Sequence, residues 1–242
     1  MKLPFIIALA AAAILWSAGC DWAPPGKPIA AIDKWKPPAA NLDFTSLYTQ
    51  NCLACHGDGK TISASIPMNH PVYLNILPRE ILIDVIANGI HGTSMPAFSA
   101  KTGGPLTDEQ IQVVADGIYQ WKTETLPGPL PPYSAPPGNV ASGQQAFGVH
   151  CASCHGAEGN GMDASGAATT AGSVVEPSYL GLVSDQYLRT ITIAGRPDLG
   201  MPDWQSFVSG QAMTAQEIAD VTAWMASHRK TPTPQPSDIG LQ

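Results

Sequence analysis

The sequence predicts an all-α protein made of two tandem helical domains joined by a Pro-rich linker, and three observations predict it. The pattern Cys52-Leu53-Ala54-Cys55-His56 returns about a hundred residues later as Cys151-Ala152-Ser153-Cys154-His155. Behind each copy, apolar residues recur at helical spacing and in register with those of the other copy. No stretch shows the sustained alternation of a half-buried strand.

Composition bounds the possibilities. A chain of 242 residues fits one or two domains, and a 44% hydrophobic content lets each half bury a core. Only 13% of residues are charged, while Gly and Pro reach 23 each, which suits compact domains with long loops. Aromatic residues, at 7%, are too few to fill two small cores alone, so a bulky cofactor is expected to supply core volume. The formal charge of −7 argues against nucleic acid, whose binding requires basic clusters, and the sequence shows none. An acidic surface suits a partner that presents Lys or Arg.

In chain order, Met1-Lys2 and the apolar run Phe5 to Trp16 form a signal peptide over residues 1–19. The run is shorter than the roughly 20 residues of a transmembrane helix. Ser17-Ala18-Gly19-Cys20 resembles a bacterial lipoprotein box, with Ser17 where Leu is usual, so Cys20 is the expected lipidation site. That places the chain on the extracytoplasmic, periplasmic face of a bacterial membrane; Asp21 points only weakly to the inner one. Residues 20–40 read as the anchor and a Pro-rich tether. Trp22 and Trp35 are expected to pack on the first domain or at the lipid interface.

The first domain spans 41–122 and the second 140–230. Tyr48 and Phe147 each precede their motif by four residues, on the inner face of a short leading helix. At an offset of 106, Pro71-Val72-Tyr73-Leu74 matches Pro177-Ser178-Tyr179-Leu180. At the same offset Ile81, Leu82 and Val85 match Tyr187, Leu188 and Ile191, a helical stripe that Gly89 and Gly195 would end. Met95-Pro96 falls on Met201-Pro202. Thr107 with Gln110, and Thr214 with Glu217, are capping boxes opening the last helices. The motifs themselves lie 99 apart, so the second repeat carries a seven-residue insertion within 157–176. Residues 123–139 are the linker and 231–242 a tail.

Cys-x-x-Cys-His attaches a c-type haem, because its two thiols sit at the spacing of the porphyrin vinyl groups and the imidazole follows at once. Cys52, Cys55, Cys151 and Cys154 are therefore the attachment residues, and His56 and His155 the proximal iron ligands. A disulfide framework or a four-thiol zinc site explains neither the His after each pair nor the wide separation of the pairs.

With these residues quoted, 41–230 resembles the class I cytochrome c family, twice over. The resemblance implies a small bundle whose first and last helices cross beside the haem. It implies Met95 and Met201 as the remaining axial ligands, opposite His56 and His155, with two covalently bound haem c groups and their irons. Gly89-Ile90-His91-Gly92-Thr93-Ser94-Met95-Pro96 is a close match to the family's Met loop; Gly195 to Pro202 is a looser one. The last helix departs from the pattern, since Trp224 has Gly117 as its counterpart. Tyr119 or Trp121 is expected to compensate through a shifted register. His91 is the main rival ligand for the first iron. His150, directly before Cys151, is expected to face away from its own iron, and His70 and His228 to lie at the surface or in loops; Met68, Met162, Met213 and Met225 are expected in core or loops. Arg79, Arg189 and Arg196 could reach haem propionates, although exposed helix charges are the commoner outcome.

These features imply a membrane-tethered dihaem c-type cytochrome with no catalytic residue. It would carry electrons between respiratory or photosynthetic partners: a quinol-oxidising complex, a dehydrogenase, an oxidase or a reaction centre. The Pro-rich segments favour a pivoting carrier, and a fixed subunit of a larger complex stays open. A dihaem peroxidase is the alternative, needing one iron with a displaceable ligand. A redox sensor or small-gas binder would need a labile haem.

Overall fold

The computed structural model describes residues 36–60 and 62–230. The proposed signal peptide, Cys20, most of the tether and the tail lie outside those residues. Residues 36–40 end in a 3-10 turn, Pro38–Ala40. Residues 41–230 belong to one compact unit. Among the described residues the structure is helical and contains no strand.

Asp43 starts α1, Phe44–Asn51, by accepting from the Ser46 amide at 2.7 Å. The one-turn helix α2, Leu53–His56, follows directly. Then come α3, Pro71–Ile76, and α4, Arg79–Asn88. Proline at the first position of α3 costs nothing, since that amide has no helical acceptor. The first repeat closes with α5, Asp108–Tyr119, opened by the Thr107–Gln110 capping box with both reciprocal bonds present.

The second repeat follows the same order. Asn139 caps α6, Val140–His150, and α7, Ala152–His155, carries the motif. Next are α8, Pro177–Leu180, and α9, Asp185–Ala194, capped by Ser184. The last helix, α10, Ala215–Ser227, opens with the Thr214–Glu217 capping box. Its Ile218 and Val221, like Ile111, Val114 and Ile118 of α5, are essentially inaccessible. Each such side chain stabilises the fold by about 1.5–3 kcal/mol.

First and last helices cross in both repeats: α5 packs on α1 and α10 on α6. The crossing explains the Gly117–Trp224 mismatch. A Cβ at Gly117 would lie 2.1 Å from the Phe44 ring, so that ring sits directly on the glycine. In the second repeat the equivalent of Phe44 is Gly143, where a Cβ would lie 2.0 Å from the Asp220 carbonyl oxygen and 2.8 Å from Trp224 Cβ. Each crossing therefore places one glycine at its closest approach, Gly117 of α5 under the Phe44 ring and Gly143 of α6 against the α10 backbone, so the two repeats have exchanged which helix supplies the glycine. Trp121 supplies the missing counterpart of Trp224 from a shifted register: it meets Tyr48 at 4.9 Å, as Trp224 meets the equivalent Phe147 at 4.3 Å, and packs edge-on against Phe44 at 5.2 Å.

The linker differs from a free pivot. Its prolines lack amide donors but leave carbonyls that need partners. Arg189 donates to Pro132 O at 2.7 Å and to Tyr133 O at 3.1 Å, and Gln186 also reaches Tyr133 O. Asn75 holds Glu124 O, and Gln216 holds Pro137 O. The linker is thus bonded to both repeats, and α9 packs across the boundary on α3. Arg189 is 1% exposed, the reverse of a solvated helix charge, because the linker folds over it. Arg79 does stay at the surface, paired with Asp116.

Substituting Gly117→Ala should destabilise the protein by about 1–3 kcal/mol in urea unfolding, by driving a methyl into the Phe44 ring. In a Phe44→Ala background it should cost little, since Ala is the better helix former by about 1 kcal/mol. Equal costs in both backgrounds would show that this contact does not set the crossing.

Candidate haem sites

Each motif opens on its own cavity. The first, about 390 Å³, is lined by Cys52, Cys55, His56 and Met95, with Leu82, Val85 and Ile86 of α4 among its apolar walls. The second, about 730 Å³, is lined by Cys151, Cys154, His155 and Met201, with Ile191 of α9 and Met225 of α10. All eight residues expected from the sequence are thus brought together four by four.

The imidazoles are held alike. His56 Nδ1 lies 3.1 Å from Ile66 O, ten residues on, and His155 Nδ1 lies 2.9 Å from Gly172 O, seventeen on. A carbonyl can only accept, so Nδ1 carries the proton and Nε2 keeps its lone pair. The difference between ten and seventeen locates the seven-residue insertion between each histidine and the backbone that holds it. The same shift separates Ser65 N→Cys55 O from Ala171 N→Cys154 O. Burial lowers the His56 pKa, outweighing the Ile66 carbonyl, and so favours the neutral, ligating form. Burial likewise pushes the Cys52 thiol up to about 11 and Cys151 up to about 12, while Cys55 and Cys154 are exposed.

The methionine loops share one construction. Gly89 ends α4 at φ 67° and Gly195 ends α9 at φ 71°, values that glycine alone adopts without strain. A Cβ at either would approach within 2.7 Å of the loop backbone beside Met95 or Met201. Each loop is closed by a backbone bond, Ile90 N→Met95 O and Arg196 N→Met201 O, both 2.9 Å.

The rival residues separate by position. His91 is exposed and outside the cavity lining. His70 is buried and accepts from the Tyr73 amide, capping α3. His228 Nδ1 faces Trp224 O. His150 is 3% exposed and, against expectation, lines the second cavity; neither ring nitrogen has a hydrogen-bond partner, and Nε2 is 3.7 Å from Glu217. Met213 and Met225 are core residues, Met162 is exposed, and Met68, buried, also lines the first cavity. Among the described residues no three His, Cys, Asp or Glu side chains cluster together.

Two family models match the chain. That of cytochrome c covers residues 140–229, and that of the cbb3-type cytochrome c oxidase subunit III covers residues 39–116. Both repeats are c-type cytochrome domains. The cytochrome fold accounts for the paired cavities, and two haem c groups, each with its iron, are bound covalently. The residues present fit that group: two thiols, an imidazole with a free Nε2 and a thioether around one apolar chamber. A search of curated proteins gave no match. Among solved structures, a chain of the Kuenenia stuttgartiensis reducing HAO-like protein complex aligns at 18% identity and a TM-score of 0.43, over 81% of this chain and 100% of that one.

Several lining residues of the dihaem cytochrome were not foreseen. Tyr133 of the linker and Gln186, Tyr187 and Thr190 of α9 line the first cavity, and Ala64 of the first domain lines the second. Repeat alignment compares equivalent positions within domains and is blind to contacts between them. The one available signal was Tyr187, which stands where the first repeat has Ile81.

Tyr48 donates to Gly57 O at 2.8 Å, directly behind His56, while Phe147 fills the equivalent place without a hydroxyl. Tyr48→Phe should therefore keep haem attachment and cost about 1–3 kcal/mol by leaving a buried carbonyl unpaired. Loss of covalent haem, assayed by pyridine haemochrome, would show that the hydroxyl is needed for assembly.

Proposed function

We propose that this dihaem cytochrome is a membrane-tethered electron carrier, or the electron-transferring subunit of a larger complex. It would work between respiratory or photosynthetic protein partners on the extracytoplasmic face of a bacterial membrane. The observation that carries the reading is the convergence of Cys52, Cys55, His56 and Met95 on one cavity and of Cys151, Cys154, His155 and Met201 on the other. Cys52, Cys55, Cys151 and Cys154 would hold the porphyrins, with His56 and Met95 on one iron and His155 and Met201 on the other.

An iron so ligated has no vacant position and changes oxidation state by one electron with little rearrangement. The chain's residues supply the rest. Ile66 O and Gly172 O orient the imidazoles, and apolar walls exclude water. Exposure of Cys55 and Cys154 leaves one thioether edge of each site near solvent, where a partner could exchange electrons. The negative surface favours a partner with Lys or Arg at its contact face. Cys20 would supply the lipid anchor; no helix among the described residues is long and apolar enough to cross a membrane.

A redox titration of the purified holoprotein tests this. Both sites should show Met–iron charge-transfer absorption, and Met95→His or Met201→His should lower one potential each, because imidazole favours ferric iron more than a thioether does. An unchanged potential would remove that methionine from the ligand set. Rapid turnover of peroxide with a reduced donor would replace the carrier by the peroxidase reading. Cys20→Ser should release the protein from membranes into the soluble fraction; continued membrane association would remove Cys20 as anchor.

A further inference from the structure

His150 ends α6, is 3% exposed and lines the second cavity, yet neither of its ring nitrogens has a hydrogen-bond partner. Across the helix crossing stands Glu217 of α10, with Oε1 3.7 Å from His150 Nε2. That gap is too long for a hydrogen bond and short enough for an ion pair. The two carboxylate oxygens have different tasks. Oε2 accepts from the Thr214 amide and hydroxyl, both at 2.8 Å, and Oε1 is the one near the imidazole. The bond from the Thr214 amide holds the Glu217 carboxyl below its usual range, so it is ionised.

The first repeat has no such pair. At the offset of 99 between the motifs, His150 falls on Asn51, which lines the first cavity and donates to Leu47 O at 2.8 Å. In the capping boxes Glu217 falls on Gln110, which donates to Asn41 O at 2.9 Å. Two neutral amides with backbone partners thus stand where the second repeat has two ionisable groups. Their neighbours offer no substitute for Glu217. Helix α6 packs on α10 and α7 and has no further ionisable residue. In α7 only Cys154 and His155 ionise, and both are committed to the haem. Asp220 of α10 is already bonded, through Oδ1, to Asn139 N and Gln216 Nε2. Arg196 of the Met loop also lines the second cavity, but it is buried and bonded to Asp198 and to Ser63 O, both at 2.7 Å.

A buried imidazole with both nitrogens unpaired costs stability, and an apolar side chain would pack better at a helix crossing. Protonation reverses that preference. The cation would face the Glu217 carboxylate and the carbonyl end of α6, where positive charge is favoured. Glu217, whose side chain is 35% exposed, opens the pair to water.

We propose that His150 is a proton-binding site coupled to the second haem: an electron arriving there draws a proton from water onto the imidazole, and the electron's departure releases it. One electron enters from the donor and at most one proton from solvent, and on oxidation the electron goes to the acceptor and the proton to water. The first site, with Asn51 and Gln110, transfers electrons alone. The inference rests on the electron-transfer reading and is independent of which residue faces His155 across the iron.

A redox titration of the intact holoprotein, repeated between about pH 5 and 8 where imidazole changes charge, tests this. Negative charge gained on reduction favours the protonated ring, so one of the two potentials should fall as pH rises. The fall is at most tenfold per pH unit in that site's one-electron equilibrium constant, and the other potential should stay level. His150→Asn should level the first of these as well. Glu217→Gln should move the fall to lower pH, because the cation loses its counter-charge. Both changes copy residues the first repeat already uses, and Gln keeps the capping box, so both proteins should fold. Redox-difference infrared spectra with isotope-labelled histidine should show one imidazole gaining a proton on reduction. Two level potentials, equal falls at both sites, or a fall that survives His150→Asn would overturn the proposal, the last assigning it to the haem carboxylates. If His150→Asn attaches no haem, the infrared signal and the Glu217→Gln displacement decide. Rapid peroxide turnover beside an intact pH-dependent potential would remove the carrier reading alone; reversible potentials indifferent to pH would remove this proposal alone.

Discussion

In each domain one glycine at the point of contact lets the first and last helices cross, and the haem site depends on that crossing. The first helix ends at the first cysteine of the motif, and the last helix supplies a cavity wall, Ile118 in one domain and Met225 in the other. If the helices stood apart by the width of a side chain, the thiols and that wall would no longer face one chamber. Gly117 under the Phe44 ring and Gly143 against the Asp220 carbonyl solve the same steric problem from opposite helices. What the two domains have in common is the missing Cβ at the closest approach.

Much of the architecture was legible in the sequence because its causes are local. Capping boxes at Thr107 and Thr214, prolines at Pro71 and Pro177 and the glycines ending α4 and α9 act within a few residues of themselves. Repetition then turned weak local signals into strong ones. The seven-residue insertion shows how far this goes: read from two offsets, it fell between each histidine and the carbonyl that orients it, and both bonds survive it.

What the sequence did not disclose has a common physical origin. Arg189, Arg196, Tyr133 and Tyr187 all owe their roles to contacts between segments far apart in the chain. A charged residue on a short helix is usually solvated, and that expectation failed twice here. Arg189 is covered because a Pro-rich strand of carbonyls lacks internal donors and finds them in its guanidinium. Burial lowers its pKa by desolvation, an effect a solvated helix charge would escape. Arg196 is covered because its Met loop lies on the other domain. Helical periodicity describes one helix and one core, and carries no term for either event.

The linker changes what two haem domains in one chain can mean. A flexible connection would raise the effective concentration of one domain near the other but leave their relative orientation open. Here Pro132 and Tyr133 are bonded to α9, Glu124 to α3 and Pro137 to α10, so the connection itself is part of the packing. Electron exchange falls steeply with separation, and a fixed separation therefore matters more than a small average one. Proline suits that requirement: it limits the chain's freedom before folding and offers acceptors without donors, so it is held by side chains from whichever surfaces it joins. The segment that looked most like a hinge is thereby the one that removes the hinge.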